Sequence, residues 1–356
     1  MKKVLKIILV VLCAILILAA CYLMYVFINY HRIGDGYVTI SGEPNRLIPE
    51  ETEYKLLSYN IGFGAYEPDY GFFMDGGTES WAWSEERLTN NIGNIAAYLK
   101  EQEADFYLLQ EVDRDSTRSY HVDELVPLVN AVGTQTANTW AQNYDSPFLF
   151  YPFTQPHGKS VSGLLTMSPF TISYAKRVEL PIEESLMRFL DLDRCYCKCR
   201  LPMFSGQEVV LYNLHLSAYT SDGTIATEQM QLILDDMQKE YSMGNYCIAA
   251  GDFNKDLVPN SRELFGAPDK EYSWAQPIPE GMLDGYNITL AAPLDENDPV
   301  PSCRNADGPY HDGQYVLTVD GFMVSDNVEV KSAKVLDTGF AYSDHNPVEL
   351  VFSLEK

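Results

Sequence analysis

Six apolar segments of this chain contain or adjoin polar residues that suit catalysis, and this pattern restricts the folds that the chain can adopt. YKLLSYN ends at Asn60, DFYLLQEV carries Glu111, and YCIAAGDFN carries Asp252. Such short runs, rich in β-branched and aromatic residues, predict β-strands. A carboxylate at the end of a buried strand is unfavourable unless it is paired or binds a metal. The polar residues at these strand ends are Asn60, Glu111, Asn213, His215, Asp252, Asn254, Asp320, Asp344 and His345.

The residue types in this set indicate a hard cation. For a single Asp or Asn at a strand end, capping of the following turn is a sufficient explanation. Six strand ends in one domain are poorly explained in this way. Carboxylate and amide oxygens without clustered cysteines favour Mg²⁺, with Mn²⁺ or Ca²⁺ as alternatives, over zinc. His215 and His345 then remain available for acid-base chemistry.

From residue 54 onward, strand-like segments alternate with segments of helical periodicity. Ser84 to Glu103 and Thr227 to Tyr241 repeat apolar residues every three or four positions, and Ser84 is a suitable N-cap. The sequence contains no internal repeat and no low-complexity tract. We therefore predict one α/β domain over residues 54–356, in which stacked sheets are flanked by helices.

A long apolar run precedes this domain. The 22 residues from Ile7 to Ile28 include no charged residue, and this length is close to the roughly 20 residues that cross a bilayer core. We predict a transmembrane anchor over residues 1–30 and a linker over residues 31–53. Three alternatives stay open: a cleaved signal peptide, a lipoprotein modified at Cys21 of the LAAC motif, and a buried helix of a soluble protein.

The distribution of charge predicts how the chain is oriented. Lys2, Lys3 and Lys6 precede the apolar run, so the N-terminus is expected in the cytoplasm and the domain outside the cell. The chain after residue 32 holds 21 of the 25 basic residues and all 50 acidic residues. Such a domain does not attract polyanions in bulk, so a phosphate-bearing substrate requires a cation. We predict a single-pass protein of the cell membrane, without a protein partner.

Three cysteines alternate in RCYCKCR, which places Cys195, Cys197 and Cys199 on one face of a predicted strand. Cysteines on the same face of one strand do not pair easily with each other. Their spacing also matches no common zinc motif. We therefore expect these side chains to be small buried apolar groups.

Seven motifs follow one another along the domain. They are LSYNIG at Asn60, LLQEVD at Glu111, LLTMSPFTI, LYNLHLSA at His215, AGDFN at Asp252 and Asn254, LTVDGFMVS at Asp320, and SDHNPV at Asp344 and His345. Together and in this order, over roughly residues 55–352, they resemble the endonuclease/exonuclease/phosphatase superfamily, which includes deoxyribonuclease I and neutral sphingomyelinases. The chain is similar to a membrane-anchored bacterial member of it.

The resemblance implies a fold and a metal site. The fold would be a four-layer α/β sandwich, with two packed mixed β-sheets between helices and the active site at one edge of both sheets. Glu111 would be the principal metal ligand, assisted by Asn60 and Asp344. The protein would be a metal-dependent phosphoric ester hydrolase with a divalent cation, Mg²⁺ being expected, as its cofactor.

The resemblance also implies roles for the remaining motif residues. Asp252 and Asn254 would position the attacking water and the scissile phosphate. His345, oriented by Asp320, would be the general base or an imidazolium that stabilises the phosphate. His215 would be a second acid-base or phosphate-binding group. Water would attack phosphorus in line, while the metal and the imidazolium offset charge on the phosphoryl oxygens.

The substrate is less restricted by the sequence. We predict a phosphodiesterase that acts as a cell-surface nuclease, with a sphingomyelinase-like phospholipid phosphodiesterase or an inositol-phosphate phosphatase as alternatives. An inactive surface binding module is disfavoured because no expected catalytic position carries an inert residue. Arg188 and Arg194 are expected to contact a substrate phosphate, with surface salt bridges as the alternative. His121, His157 and His311 lack a motif context and are expected on the surface or in loops.

An insertion between the first strand and the first helix is rich in aromatic residues. Its rings could stack on nucleic-acid bases or enter lipid headgroups. They could equally pack beneath their own loop. The rings are Tyr66, Tyr70, Phe72, Phe73, Trp81 and Trp83.

Overall fold

A computed structural model gives the structure of the protein and describes most of the chain. The described residues are 2–50, 52–133, 135–183, 186–189, 191–218, 224–258, 261–266 and 275–355. The α-helices are α1 (Lys2–Asn29), α2 (Glu85–Gln102), α3 (Leu125–Val132), α4 (Thr224–Ser242) and α5 (Ser261–Leu264).

Most described strands belong to two seven-stranded sheets. The first sheet has the order β15-β16-β3-β4-β6-β5-β2 and the second the order β1-β7-β8-β9-β10-β14-β11. The strands are β1 (Gly36–Tyr37), β2 (Ile40–Ser41), β3 (Glu53–Asn60), β4 (Phe106–Asp113), β5 (Ala137–Asp145), β6 (Val161–Ser168), β7 (Tyr174–Glu179), β8 (Cys195–Pro202), β9 (Glu208–His215), β10 (Tyr246–Asp252), β11 (Ile288–Ala291), β12 (Cys303–Arg304), β13 (Val316–Leu317), β14 (Asp320–Ser325), β15 (Val328–Val335) and β16 (Val348–Leu354).

The two sheets pack face to face, and helices cover their outer faces. Leu108 of the first sheet and Ile248 of the second belong to the same fully buried cluster between the sheets. Helix α2 packs on the outer face of the first sheet and helix α4 on that of the second. The predicted sandwich of two mixed sheets between helices is therefore confirmed. Cys195, Cys197 and Cys199 lie in the central cluster as free thiols, as expected for buried apolar groups.

The segment over residues 31–53, which we expected to be a linker, lies against the domain along part of its length. Strand β1 extends the second sheet beside β7, and strand β2 extends the first sheet beside β5. Ile48 is fully buried between the sheets. Strands of two residues are too short to show a periodic pattern, so the sequence of this segment does not reveal them.

Strand directions explain why the polar strand ends meet. Strands β3 and β4 run parallel in the first sheet, as do β9 and β10 in the second. Asn60, Glu111, His215 and Asp252 therefore lie towards the carboxyl ends of neighbouring strands. Strand β14 runs antiparallel to β10 and begins beside its end, which pairs Asp320 with Asp252. One edge of the sandwich thus gathers polar side chains from both sheets.

A buried asparagine joins the two sheets just below that edge. Asn213, on β9 of the second sheet, is fully buried. Its Nδ2 donates hydrogen bonds to the carbonyls of Leu109 (3.2 Å) and Leu165 (3.1 Å) in the first sheet. Its Oδ1 accepts a hydrogen bond from Gln110 Nε2 at 2.8 Å. Asn213, noted in the sequence for its place at a strand end, thus has a structural explanation.

We expect Asn213→Ala to lower the free energy of unfolding by about 2–3 kcal/mol, because the buried hydrogen bonds of Asn213 with Gln110, Leu109 and Leu165 are lost together. Urea unfolding of the detergent-solubilised full chain, followed by tryptophan fluorescence, measures this change. The control is Asn297→Ala in an exposed loop, which should change stability by less than about 0.5 kcal/mol. Equal effects of the two substitutions would contradict the bridging role of Asn213.

Candidate active site

His345 and Asp320 form the most tightly bonded pair at this edge. The His345 ring is buried, and its Nδ1 donates a hydrogen bond to Asp320 Oδ2 at 2.7 Å. Ser302 Oγ donates to the same oxygen, also at 2.7 Å. Burial alone opposes protonation of the ring, but the Asp320 carboxylate raises the pKa of His345 well above its ordinary value. The pair therefore favours an imidazolium that turns Nε2 towards Asp252, 3.7 Å away.

Asp252 lies between two histidines and an amide. Its Oδ2 accepts a hydrogen bond from Asn60 Nδ2 at 3.1 Å and lies 3.5 Å from His215 Nε2. Its Oδ1 accepts a hydrogen bond from the backbone N–H of Asn254 at 2.9 Å. Burial, together with the nearby Asp320 charge, raises the pKa of Asp252 to about 7, although His345 opposes the shift. Asp252 can therefore gain or lose a proton near neutral pH.

Asn254 continues the turn that follows Asp252. Its backbone has φ of +47°, in the left-handed region that asparagine tolerates better than most residues. Its Nδ2 donates to the Leu216 carbonyl at 2.8 Å. Asn254 also lines the cavity at this edge. The GDFN motif thus forms a tight turn that places two polar side chains beside the cavity.

Glu111 reaches the cavity from an irregular part of strand β4. The pairing of β4 with β6 shifts register between Leu109 and Val112, which leaves Glu111 in a β-bulge. Its backbone φ of +54° is rare for a glutamate. Glu111 Oε1 accepts a hydrogen bond from Asn60 Nδ2 at 3.2 Å. The bulge directs this carboxylate into the cavity instead of towards a neighbouring strand.

Glu111 and Asp344 fit a divalent cation. Both carboxylates line the cavity. Burial raises the pKa of each, and the Asp344 charge further raises the pKa of Glu111, opposed by Arg118. Two partly buried carboxylates that disfavour each other's charge are stabilised by a cation, and oxygen ligands suit Mg²⁺, Mn²⁺ or Ca²⁺.

Asp252, Asp320 and His345 form a second group that could hold a metal ion, since their ligand atoms lie within 4.8 Å of one another. In this group, however, the His345 ring already donates its Nδ1 proton to Asp320. A metal bound through Nδ1 would replace that hydrogen bond, and one bound through Nε2 would displace the proton that the Asp320 carboxylate favours on the ring. We therefore favour Glu111 and Asp344 as the cation ligands among the described residues.

Asn60 lies at the centre of the site, and its amide nitrogen, not its oxygen, faces the carboxylates there. Its Nδ2 donates to Glu111 and to Asp252, while its Oδ1 accepts from the Gly62 N–H at 3.0 Å. In this orientation the amide holds the two carboxylates in place. Direct ligation of a cation through Oδ1 stays a prediction, because it requires the opposite orientation of the amide.

His215 is buried at the end of β9 and lines the same cavity. Burial, with the nearby positive charge of Arg194, keeps the pKa of His215 well below its ordinary value, so the ring is neutral. Its Nδ1 has no hydrogen-bond partner among the described residues. His215 is thus neutral while His345 is charged. The two rings differ in protonation because Arg194 lies near His215, whereas Asp320 is bonded to His345.

The structure separates the two arginines that we expected at the substrate. Arg194 lines the cavity, is 1% exposed, and makes a 2.8 Å ion pair with Asp191. Its Nη1 has no partner within the described part of the chain. Arg188 is absent from the lining of this cavity, and its guanidinium instead lies over the rings of Tyr30 and Phe189. Its position gives no support to a substrate contact.

The cavity also contains side chains that sequence reasoning missed. Arg118 is buried, forms a 2.9 Å ion pair with Asp113, and lies with its guanidinium carbon 3.8 Å from the centre of the Phe63 ring. His157, which we expected on the surface or in a loop, lies in a loop but is buried in the cavity wall, where burial lowers its pKa to about 3. No motif marks either residue, because both come from loops that approach the site only in the folded chain.

The aromatic insertion is packed beneath its own loop. Tyr66, Tyr70 and Phe72 are each at most 6% exposed and contact one another through their rings. These rings are therefore removed from the outer surface of the domain, and Tyr66 and Phe72 also line the cavity. Trp83 is 39% exposed but lies beside Arg87. The alternative in which the insertion packs on itself is confirmed for the three buried rings.

Several solved structures share this fold. An endonuclease/exonuclease/phosphatase family protein from Leptotrichia buccalis is 17% identical, with a TM-score of 0.55 over 85% of this chain and 100% of that chain. ANGEL2, a 2',3'-cyclic phosphatase solved with adenosine-2',3'-vanadate, is 17% identical, with a TM-score of 0.56 over 90% and 99%. The human Nocturnin catalytic domain with bound sulfate is 17% identical, with a TM-score of 0.53 over 89% and 97%. None of the curated proteins matches the sequence.

The sequence profile described as "Endonuclease/Exonuclease/phosphatase family" matches residues 57–345, which include every motif residue of the cavity. Members of this family are metal-dependent phosphoester hydrolases, so the enzyme class expected from the sequence is confirmed. The chain belongs to the endonuclease/exonuclease/phosphatase family.

Proposed function

We propose that this protein hydrolyses a phosphodiester by in-line attack of water on phosphorus, with the cavity at the sheet edge as its active site. The observation that carries the proposal is the hydrogen-bonded chain Asp320–His345, which faces Asp252 and the Asn60 amide. A charged imidazolium, a carboxylate of near-neutral pKa and two further, partly buried carboxylates then face one cavity. This set supplies proton transfer and charge stabilisation, which phosphoryl transfer requires.

In this proposal Glu111 and Asp344 hold the divalent cation, with Asn60 in support. When bound, the cation would offset negative charge on the phosphoryl oxygens. Mg²⁺ is the expected ion because the donors are oxygens, although Mn²⁺ and Ca²⁺ suit the same donors.

Asp252 and Asn254 position the attacking water, and Asp252 accepts its proton, for which a pKa of about 7 is well suited. His345 Nε2 donates a hydrogen bond to a phosphoryl oxygen, and Asp320 holds the ring in the orientation that permits this. Neutral His215 binds a second phosphoryl oxygen or the leaving group. Arg194, one of the arginines that line the cavity, contacts the substrate phosphate through the Nη1 that lacks a described partner.

The substrate class expected from the sequence was nucleic acid at the cell surface. A nucleotide-like substrate is consistent with the structural neighbour solved with adenosine-2',3'-vanadate. The acidic character of the domain counts against nucleic-acid binding, because such a domain does not attract a polyanion. A phospholipid or an inositol phosphate is the alternative ester within the same chemistry.

The proposed location is the cell membrane. Helix α1 is long and apolar enough to cross a bilayer, and none of its most apolar window is buried in the protein. A signal sequence has the same properties. We propose that the helix is retained as the anchor (residues 1–30), that residues 31–53 connect it to the catalytic domain (54–356), and that the domain lies outside the cell.

We expect His345→Ala to reduce kcat for bis(p-nitrophenyl) phosphate by at least about 100-fold, because a positioned proton donor to the phosphate is lost. The rate is measured with the detergent-solubilised full chain in about 5 mM Mg²⁺ or Mn²⁺, a concentration that saturates weak cation sites. His311→Ala, at an exposed loop position, is the matched control and should keep full activity. Full activity in His345→Ala would contradict the proposal.

Asp320→Asn should lower kcat by about 100-fold or more and leave KM within about twofold, since Asp320 acts on the substrate only through His345. The fold should be retained because the substitution preserves shape, although loss of the charge paired with His345 should lower the thermal midpoint. Asp326→Asn, at an exposed position just after the same strand, is the control. A loss confined to KM would contradict the positioning role.

Removal of divalent cations with EDTA should abolish turnover, and added Mg²⁺ or Mn²⁺ should restore it. In Glu111→Gln the cation concentration for half-maximal activity should rise by about tenfold or more, because a ligand charge is lost. Glu103→Gln, exposed after helix α2, should keep the cation dependence of the unmodified chain. Turnover that is insensitive to EDTA would exclude the proposed use of a cation.

A further inference from the structure

The end of helix α1 is attached to a loop of exposed aromatic residues. We call residues 146–158, which connect β5 to β6, the aromatic loop. Tyr22 Oη donates a hydrogen bond to the Phe148 carbonyl at 3.2 Å and accepts one from the Phe150 N–H at 2.8 Å. Tyr25 Oη accepts a hydrogen bond from the Phe148 N–H at 3.2 Å. The helix is thus bonded to the backbone of this loop.

The same helix end also contacts Phe189, which lies between β7 and β8. The Phe189 ring lies 4.9 Å from the ring of Phe27 and 4.9 Å from that of Tyr30. Val26, between these contacts, is 5% exposed although the rest of the helix is largely uncovered. One face of the last two turns therefore packs against the catalytic domain.

Both segments that hold the helix also form walls of the active-site cavity. His157 of the aromatic loop lines the cavity, and so do Leu192 and Arg194, which follow Phe189. Ring contacts continue from the loop to the cavity, since Tyr151 lies 5.9 Å from Phe73 and Phe73 lies 5.9 Å from His157. The cavity therefore lies close to the last turns of α1, where the helix packs against the domain.

The aromatic loop lies at the level of the apolar part of the helix. Tyr22 precedes the helix end at Asn29 by seven residues, which corresponds to ~10 Å along the axis. The loop bonded to Tyr22 is uncovered: Phe150 is 51%, Tyr151 56% and Phe153 77% exposed. Exposed rings at the height of an apolar helix end are typical of the aromatic belt at a membrane interface.

Contact with lipid has a second requirement, because backbone polar groups that leave water need hydrogen-bond partners within the protein. The backbone of the aromatic loop meets this requirement. Leu149 and Gly158 exchange two backbone hydrogen bonds, at 3.0 and 2.9 Å. The His157 N–H donates to the Tyr151 carbonyl at 3.2 Å. The hydroxyls of Tyr22 and Tyr25 are hydrogen-bonded to backbone groups of Phe148 and Phe150. The loop thus exposes rings while much of its backbone polarity is satisfied.

We propose that the aromatic loop inserts into the outer surface of the membrane that holds α1, and that the substrate is a phospholipid of that membrane. This proposal rests on the proposed function and names its substrate class. The acidic domain favours a zwitterionic phospholipid over an anionic one, because like charges repel. The oxygen of water joins phosphorus, the bond from phosphorus to one esterified alcohol breaks, and that alcohol leaves with a proton.

The depth of the loop tests the membrane contact without any need for activity. The full chain carrying Phe153→Trp is reconstituted in phosphatidylcholine vesicles whose acyl chains are brominated. Bromine should quench the additional tryptophan emission relative to the unmodified chain. The control is Phe204→Trp, at a 72% exposed position beyond the far end of β8. Quenching that is equal at the two positions, or absent at position 153, overturns the proposed insertion.

Hydrolysis tests the substrate class. The full chain in vesicles of phosphatidylcholine and phosphatidylethanolamine should release a headgroup or a diacylglycerol product when Mg²⁺ or Mn²⁺ is added. Phe150→Ser with Phe153→Ser should lower this rate at least tenfold, while turnover of soluble bis(p-nitrophenyl) phosphate stays within twofold. The matched control is Phe204→Ser with Met243→Ser, two exposed residues at the opposite edge of the second sheet. This control should change neither rate.

The outcomes separate the two proposals. Turnover of the soluble ester without hydrolysis of vesicle lipid overturns the phospholipid substrate and leaves the proposed chemistry intact. Preferential cleavage of plasmid DNA by the same preparation also overturns it, in favour of nucleic acid. Absence of turnover with every substrate and cation contradicts the proposed function, and the substrate inference with it, whereas the depth measurement still decides whether the loop enters the membrane.

Discussion

The amide of Asn60 is the interaction on which the candidate site depends. It donates to Glu111 in its own sheet and to Asp252 in the opposite sheet, so one side chain joins both halves of the cavity. This is possible only because two parallel strand pairs, one in each sheet, end at the same edge. The packed core between the sheets fixes the spacing of those ends, and Asn213 adds a hydrogen-bonded bridge below them. A shift of one sheet relative to the other would separate the carboxylates from the histidines.

The fold and most of the site residues were predictable from the sequence because their signals are local. A strand that ends in a polar residue marks Asn60, Asp252 and His215. Asp252 and His215 line one cavity, and Asn60 donates a hydrogen bond to Asp252. The functional role of the strand ends was predicted from the resemblance to a known family and not from periodicity. The pairing of His345 with Asp320 was predicted in the same way. Their catalytic roles stay predictions, since geometry alone does not measure a rate.

The parts that the sequence did not predict depend on contacts distant in the chain. Arg118 and His157 line the cavity because loops fold over it, and neither loop has a periodic pattern. Residues 31–53 resemble a tether in composition, yet they supply an edge strand to each sheet. Arg188 and Arg194 are separated by only a few residues, but one lies over aromatic rings beside α1 and the other lines the cavity. Whether either arginine contacts a substrate phosphate stays a prediction.

The left-handed backbone at Glu111 has a consequence for how activity and stability are balanced. A non-glycine residue in this conformation is held at a cost of ~1–3 kcal/mol, which the surrounding sheets must supply. A glycine at this position would relax the bulge but remove the carboxylate, so selection for stability and selection for activity oppose each other at one residue. Any cation held by Glu111 would bind the native state alone, and its concentration would then set how firmly this edge of the protein is folded.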